Sequence, residues 1–119
     1  AREILGEGPL LAPEQMVVID TDLRRARGVA RTAMKRYLRL PNYTNNLLRC
    51  GFTQTDIDDV TDRLVDGIVA CGDIGVAVDR VQQHLDAGAD HVCIQVLVEN
   101  NDLDATIVLW RELADAFDL

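Results

Sequence analysis

DAGADHVCIQVL, residues 86–97, decides the fold. Asp86 and Ala87 end a helix. Gly88 stands where a helix C-terminus needs positive φ, which glycine adopts without a Cβ penalty. The run HVCIQVLV, residues 91–98, then reads as a strand that is apolar on both faces. Antiparallel strands at a surface alternate apolar with polar. A strand without that alternation belongs to a parallel sheet covered by helices. Upstream, Gly72 and Asp73 form a strand-to-helix turn with a carboxylate N-cap, and Ile74, Ala77, Val78, Val81 and Leu85 share one face of the helix that follows. Downstream, the polar turn ENNDLD leads to a last helix with an apolar face of Ile107, Val108, Trp110, Leu113 and Phe117.

The same unit occurs at the other end of the chain. MVVI, residues 16–19, is short and β-branched, and Asp20, Thr21 and Asp22 behind it supply turn and cap residues. The helix beyond carries Leu23, Ala26, Ala30, Ala33 or Met34, and Tyr37 on one side, with Arg24, Arg27, Arg31 and Lys35 opposite. Pro41 stops it. PNYTNNLLRCGF, residues 41–52, reads as an Asn-rich loop, with a further helix starting at Thr53 or Thr55. The organisation is one α/β domain: a βα unit over 16–40, a loop and extra helix over 41–66, and βα units over 67–88 and 90–118. Three parallel strands leave two edges and cannot close into a barrel. Helix faces left without neighbours predict self-association into a homodimer or larger assembly.

Composition narrows the function. With 48% hydrophobic and 27% charged residues the chain is globular rather than disordered. It contains neither a membrane-length apolar run nor a signal pattern, which gives a cytoplasmic expectation with no membrane partner. Cys50, Cys71 and Cys93 are odd in number and form no CxxC, so neither disulfides nor zinc are indicated. His84 and His91 lack companions at ligand spacing, so no metal is expected. The net charge is −8, and fifteen of the twenty carboxylates lie in residues 50–119 against Arg63, Arg80 and Arg111 alone. Nucleic acid is therefore an unlikely partner. The one basic cluster, Arg24 to Arg39, reads as a solvated helix face.

Few residues suggest chemistry. Tyr43, Thr44, Asn45 and Asn46 offer neutral donors and acceptors suited to lining a substrate pocket, although Asn-rich turns are commonly only turns. Gln95 and Glu99 lie at the end of the last strand and, in the right register, would point toward the mouth of a barrel, where a satisfied interior amide is the competing reading for Gln95. Cys71-Gly72-Asp73 puts a helix N-terminus where backbone N–H groups could meet a phosphate, but Asp73 reads better as a cap than as a phosphate neighbour. Catalytic residues are not assignable.

LLAPEQMVVIDTDLRRARGVAR (10–31), YLRLPNYTNNLLRCGF (37–52) and HLDAGADHVCIQVL (84–97), in this order, resemble the C-terminal part of luciferase-like monooxygenases of the group that uses coenzyme F420. The resemblance spans essentially the whole chain and implies the last three βα units of a (β/α)8 TIM barrel. It also implies a complete protein that binds F420, or alternatively FMN, at the barrel mouth and passes hydride to or from a small substrate. The segments that hold the cofactor in that family fall mostly before residue 1. This chain alone is therefore expected to hold no cofactor and to be inactive. The competing reading is a standalone α/β interaction module without catalysis.

Overall fold

The computed structural model describes residues 1–119. After a short helix α1 (Arg2–Leu5) come β1 (Glu14–Ile19), α2 (Leu23–Tyr37), α3 (Pro41–Arg49), α4 (Gln54–Asp59), α5 (Asp62–Ile68), β2 (Val69–Gly72), α6 (Ile74–Asp86), β3 (Cys93–Val96), a 3-10 turn (Glu99–Asn101) and α7 (Leu103–Ala116). The three strands are parallel and form one open sheet in the order β2-β1-β3. Parallel strands are as the apolar runs predict, and helices cover both faces of β1 and β2, but β3 is left exposed on the face of Cys93 and Gln95. No helix is long and apolar enough to cross a membrane.

The order differs from that of three consecutive barrel units, which would place β2 in the middle. Here β1 is central: Met16 faces Val69 on one side and Gln95 on the other, and Val17 faces Ala70 and Val96. The chain steps from β1 to β2 in one direction and then back across β1 to β3. Crossovers between parallel strands are right-handed, so reversing direction puts successive helices on opposite faces of the sheet. Two separate cores result. Met16, Val18 and Val69 pack against Ala26, Ala30 and Met34 of α2, Leu47 of α3, and Leu64 and Val65 of α5. Val17 and Ala70 pack against Ala77 of α6 and Leu113 of α7. In a barrel every covering helix lies on the outer face. This layering is instead that of a doubly wound α/β unit.

The extra segment is more helical than its composition suggests. Pro41 ends α2 by opening α3, occupying a first-turn position where the missing N–H costs nothing. Residues 41–49 are thus a helix rather than the loop expected of them, and Leu47 is buried beneath it. Thr53 caps α4, with its backbone N–H donating to the Asp56 carboxylate at 2.9 Å and its hydroxyl accepting from the Asp56 N–H at 3.1 Å. Asp56 also accepts the Thr61 hydroxyl at 2.7 Å and an Arg63 guanidinium N–H, which ties α4 to α5.

The basic face of α2 is not merely solvated. Arg27 grips Asp66 of α5 through two parallel bonds of 3.0 and 2.8 Å, while Arg31 donates to the Val60 carbonyl at 2.8 Å and to Asp62. At the other edge Gly88 has φ +102°, as its position after the helix predicts. Asp90 accepts the Leu11 N–H at 2.8 Å and an Arg2 N–H, and Arg2 Nε donates to the Gly88 carbonyl at 2.9 Å. The AGAD turn therefore latches the start of β3 to the segment ahead of β1.

The apolar helix faces are narrower than their spacing implies. Of the residues assigned to the last helix only Leu113 is fully buried, while Val108 and Trp110 are exposed because β3 has no strand beyond it. Leu23 and Leu85 are likewise exposed, whereas Met34 and Val81 are covered.

The backbone N–H of Thr53, then the Thr61 hydroxyl, hold the Asp56 carboxyl down to about 2, below its ordinary 3.8. A depressed carboxylate contributes stability that is fully present above the unfolded value and lost as pH falls through the folded one. Asp56→Asn should therefore be less stable than the wild type at neutral pH, with the gap in melting temperature closing between about pH 4 and pH 2. A gap independent of pH would show that Asp56 acts by shape alone.

Candidate functional site at the carboxyl edge

In open parallel sheets, ligands bind outside the carboxyl ends of the strands, where the strand order reverses and adjacent loops part. Here that point lies between β1 and β3. Beside it runs a groove of about 710 Å³ between α2, the exposed face of β3 and the β3–α7 connection. Its α2 wall is the stripe Arg25, Val29, Thr32 and Arg36, one helix face at i, i+4, i+7 and i+11. Gln95 and Leu97 form its floor, and residues 98–101 its lip.

Gln95, on β3, and Glu99, in the 3-10 turn beyond it, both line this groove. Gln95 is exposed rather than a satisfied interior amide. It shares the sheet face of Met16 and Val69, but α2 covers only β1 and β2 and leaves the face of β3 open. Tyr43 lies outside the groove, on α3, stacked on Tyr37 with ring centroids 5.5 Å apart. Tyr37 belongs to the groove wall, while Tyr43 lines an adjoining hollow with Glu14, Met16 and Ile68. Burial pushes the Tyr43 phenol up, which keeps it protonated. Asn45 and Asn46 are not brought to the groove. They are exposed on α3, on the turn of helix that Pro41 starts.

The groove is electrostatically lopsided. The side chain of Asp22 caps α2 by accepting the Arg25 N–H at 3.2 Å, and Asp20 accepts Arg25 Nη2 at 2.9 Å. The Arg25 hydrogen bond and the Asp22 backbone N–H hold the Asp20 carboxyl below its ordinary value, and Asp20 in turn raises Arg25. Glu99 lies at the same end and adds to that effect. At the far end Arg36 makes no ion pair with any carboxylate.

Other candidate chemistry does not assemble. Asp73 Oδ1 accepts the Val76 N–H at 3.0 Å, the capping role, which leaves a carboxylate where a phosphate would sit. Burial, followed by the charge of Asp66, pushes the Cys71 thiol up to about 11, so it is no nucleophile at neutral pH. No group of three or more His, Cys, Asp or Glu side chains converges on a metal position. Periodicity also missed a polar pair between buried Gln15 and half-buried His84. Gln15 donates to the Ile68 carbonyl at 2.9 Å and pairs with His84 Nε2 at 2.8 Å, pinning α6 to the sheet far from the groove.

The fold and site define a doubly wound α/β unit with a carboxyl-edge groove. Comparison of the chain with protein-family models, curated proteins and solved structures gave no significant match.

The lip carries backbone strain. Asn100 and Asn101 are consecutive left-handed residues, at φ 54° and 52°. Asparagine tolerates this conformation better than any branched residue. Asn100→Val should destabilise the protein by about 1–2 kcal/mol relative to Asn100→Gly in chemical denaturation. Equal stabilities would mean that the turn relaxes without cost.

Proposed function

We propose that this chain is the C-terminal portion of a luciferase-like oxidoreductase that uses F420 or FMN, and that its groove contributes to the side of the site that holds the small substrate. The supporting observation is the position of Gln95 and Glu99 in a groove beside the carboxyl end of a parallel strand. The barrel part of this reading rests on the sequence resemblance, since β1 rather than β2 is central in the sheet.

When bound, either cofactor supplies hydride chemistry to such an enzyme. The residues present do not form a complete site for one. The helices that could present a free N-terminus to its phosphate, α2, α6 and α7, are each capped by an aspartate, Asp22, Asp73 and Asp102. Arg36 is the one cation in the groove free of a carboxylate. The chain alone should bind F420 or FMN more weakly than micromolar and should not oxidise or reduce either. Saturable fluorescence quenching at micromolar protein would overturn this assignment of the cofactor site to residues outside the chain.

A separate observation favours the interaction-module reading. Cys93 N–H donates to the Pro13 carbonyl and Leu97 N–H to the Val17 carbonyl, so the alternation of a strand turns the peptide groups of Ile94 and Val96 outward to a free edge. Exposed Leu103, Val108 and Trp110 of α7 lie in the next element. We propose that two copies associate through this edge. Light scattering at micromolar concentration should give a mass well above 13.2 kDa, and a folded 13.2 kDa species would overturn the proposal.

A further inference from the structure

We infer that the groove binds an elongated amphiphile with an anionic group at the Arg36 end and a hydrogen-bond donor, ammonium or hydroxyl, at the Glu99 end. This rests on reading the groove as a small-molecule site and adds the chemical class and direction of its ligand.

The direction follows from topology. Parallel β1 and β3 run one way, and α2 returns the other way, so the start of α2 lies beside the end of β3. Arg25 therefore falls with Glu99, and Arg36 with Gln95. Eleven residues separate the two arginines, roughly 16 Å along a helix. Between them Val29, Ala33 and Leu97 offer an apolar bed, and the Thr32 hydroxyl already donates to the Gly28 carbonyl at 3.1 Å. The two ends differ in what they leave unsatisfied. Asp20, Asp22 and Glu99 against Arg25 sum to a formal charge of −2 (three carboxylates, one guanidinium). Arg25 is engaged by Asp20, whereas the Glu99 side chain makes no hydrogen bond or ion pair. Arg36 also has none, and its planar fork matches a carboxylate or phosphate in two parallel bonds, with the Gln95 amide nearby as a further donor. An apolar body between a free guanidinium and a free carboxylate selects for length as well as charge.

The test is an amide-resonance titration of the 119-residue chain with three probes: 12-aminododecanoate, dodecanoate and dodecylamine. All three should move the Gln95 side-chain amide or the Asn100 and Asn101 signals, with the amino acid binding tightest. Arg36→Gln should weaken dodecanoate about tenfold and spare dodecylamine, and Glu99→Gln should do the reverse. Both positions are exposed, and the same spectra report whether each variant is folded. If the probes move groove signals but both variants weaken both singly charged probes alike, or neither variant weakens either, the assigned polarity is wrong while the groove remains a ligand site. If no probe moves a groove signal, the small-molecule reading fails and this inference fails with it.

Discussion

Everything in this fold depends on β1 having a neighbour on each side. Glu14–Ile19 is the only strand with both edges paired, and Met16, Val17 and Val18 are buried on alternating faces. Once β1 is central, the chain must step off it in one direction and return past it in the other. The right-handed crossover rule then places α2 and α5 on one face and α6 and α7 on the other. Where the sheet is covered on both faces it buries apolar surface on both, which explains why β1 and β2 are buried without alternation, while β3, covered on one face, alternates exposed Cys93 and Gln95 with half-buried Ile94 and Val96. The groove follows from the same constraint. One helix cannot span three strands, so α2 leaves β3 bare on its own face and the carboxyl edge parts beside it.

The charges of α2 act where burial cannot. Apolar contact between α2 and α5 is supplied by Ala26, Ala30 and Met34 against Leu64 and Val65, a set limited by small side chains on the α2 side. The rim is fastened by Arg27 on Asp66 and Arg31 on Asp62 and the Val60 carbonyl. Val60 adopts φ 46°, a conformation unfavourable for a β-branched residue, so Arg31 Nε donating to its carbonyl fixes the break between α4 and α5. Arg24, Lys35 and Arg36 belong to the same helix but reach none of these carboxylates. The helix thus has one structural rim and one rim open to solvent or ligand.

Strand type, helical cover and the turn at Gly88 were legible in the sequence because each is local: β-branched runs, helical spacing and a glycine after a helix. Strand order was not. Nothing in MVVI or CIQV says which strand lies between the others, because that is fixed by which faces α2 and α6 bury once packed. Helix α3 was hidden because Asn42, Asn45 and Asn46 mark turns by composition, whereas Pro41 at the first turn and Leu47 beneath it stabilise a helix through position and burial. Gln95 and Glu99 stand out in the sequence by their place near a strand's carboxyl end, and both line the groove. Tyr43, Asn45 and Asn46 depended on a loop that does not exist. The opposite wall was visible in principle as the spacing of Arg25, Val29, Thr32 and Arg36, but charge alone assigned those arginines to water.

The two halves of the groove have unequal origins. The acidic end is inseparable from folding: Asp22 caps α2 and Asp20 organises the turn that precedes it, so both carboxylates are fixed by the β1–α2 connection whatever the groove holds. Arg25 is there to answer them. Neither Arg36 nor Glu99 has such a duty. Removing either leaves every cap, strand pair and core contact described above in place. A free cation and a free anion at opposite ends of one cleft, neither explained by stability, carry the argument for a ligand further than the volume of the cleft does.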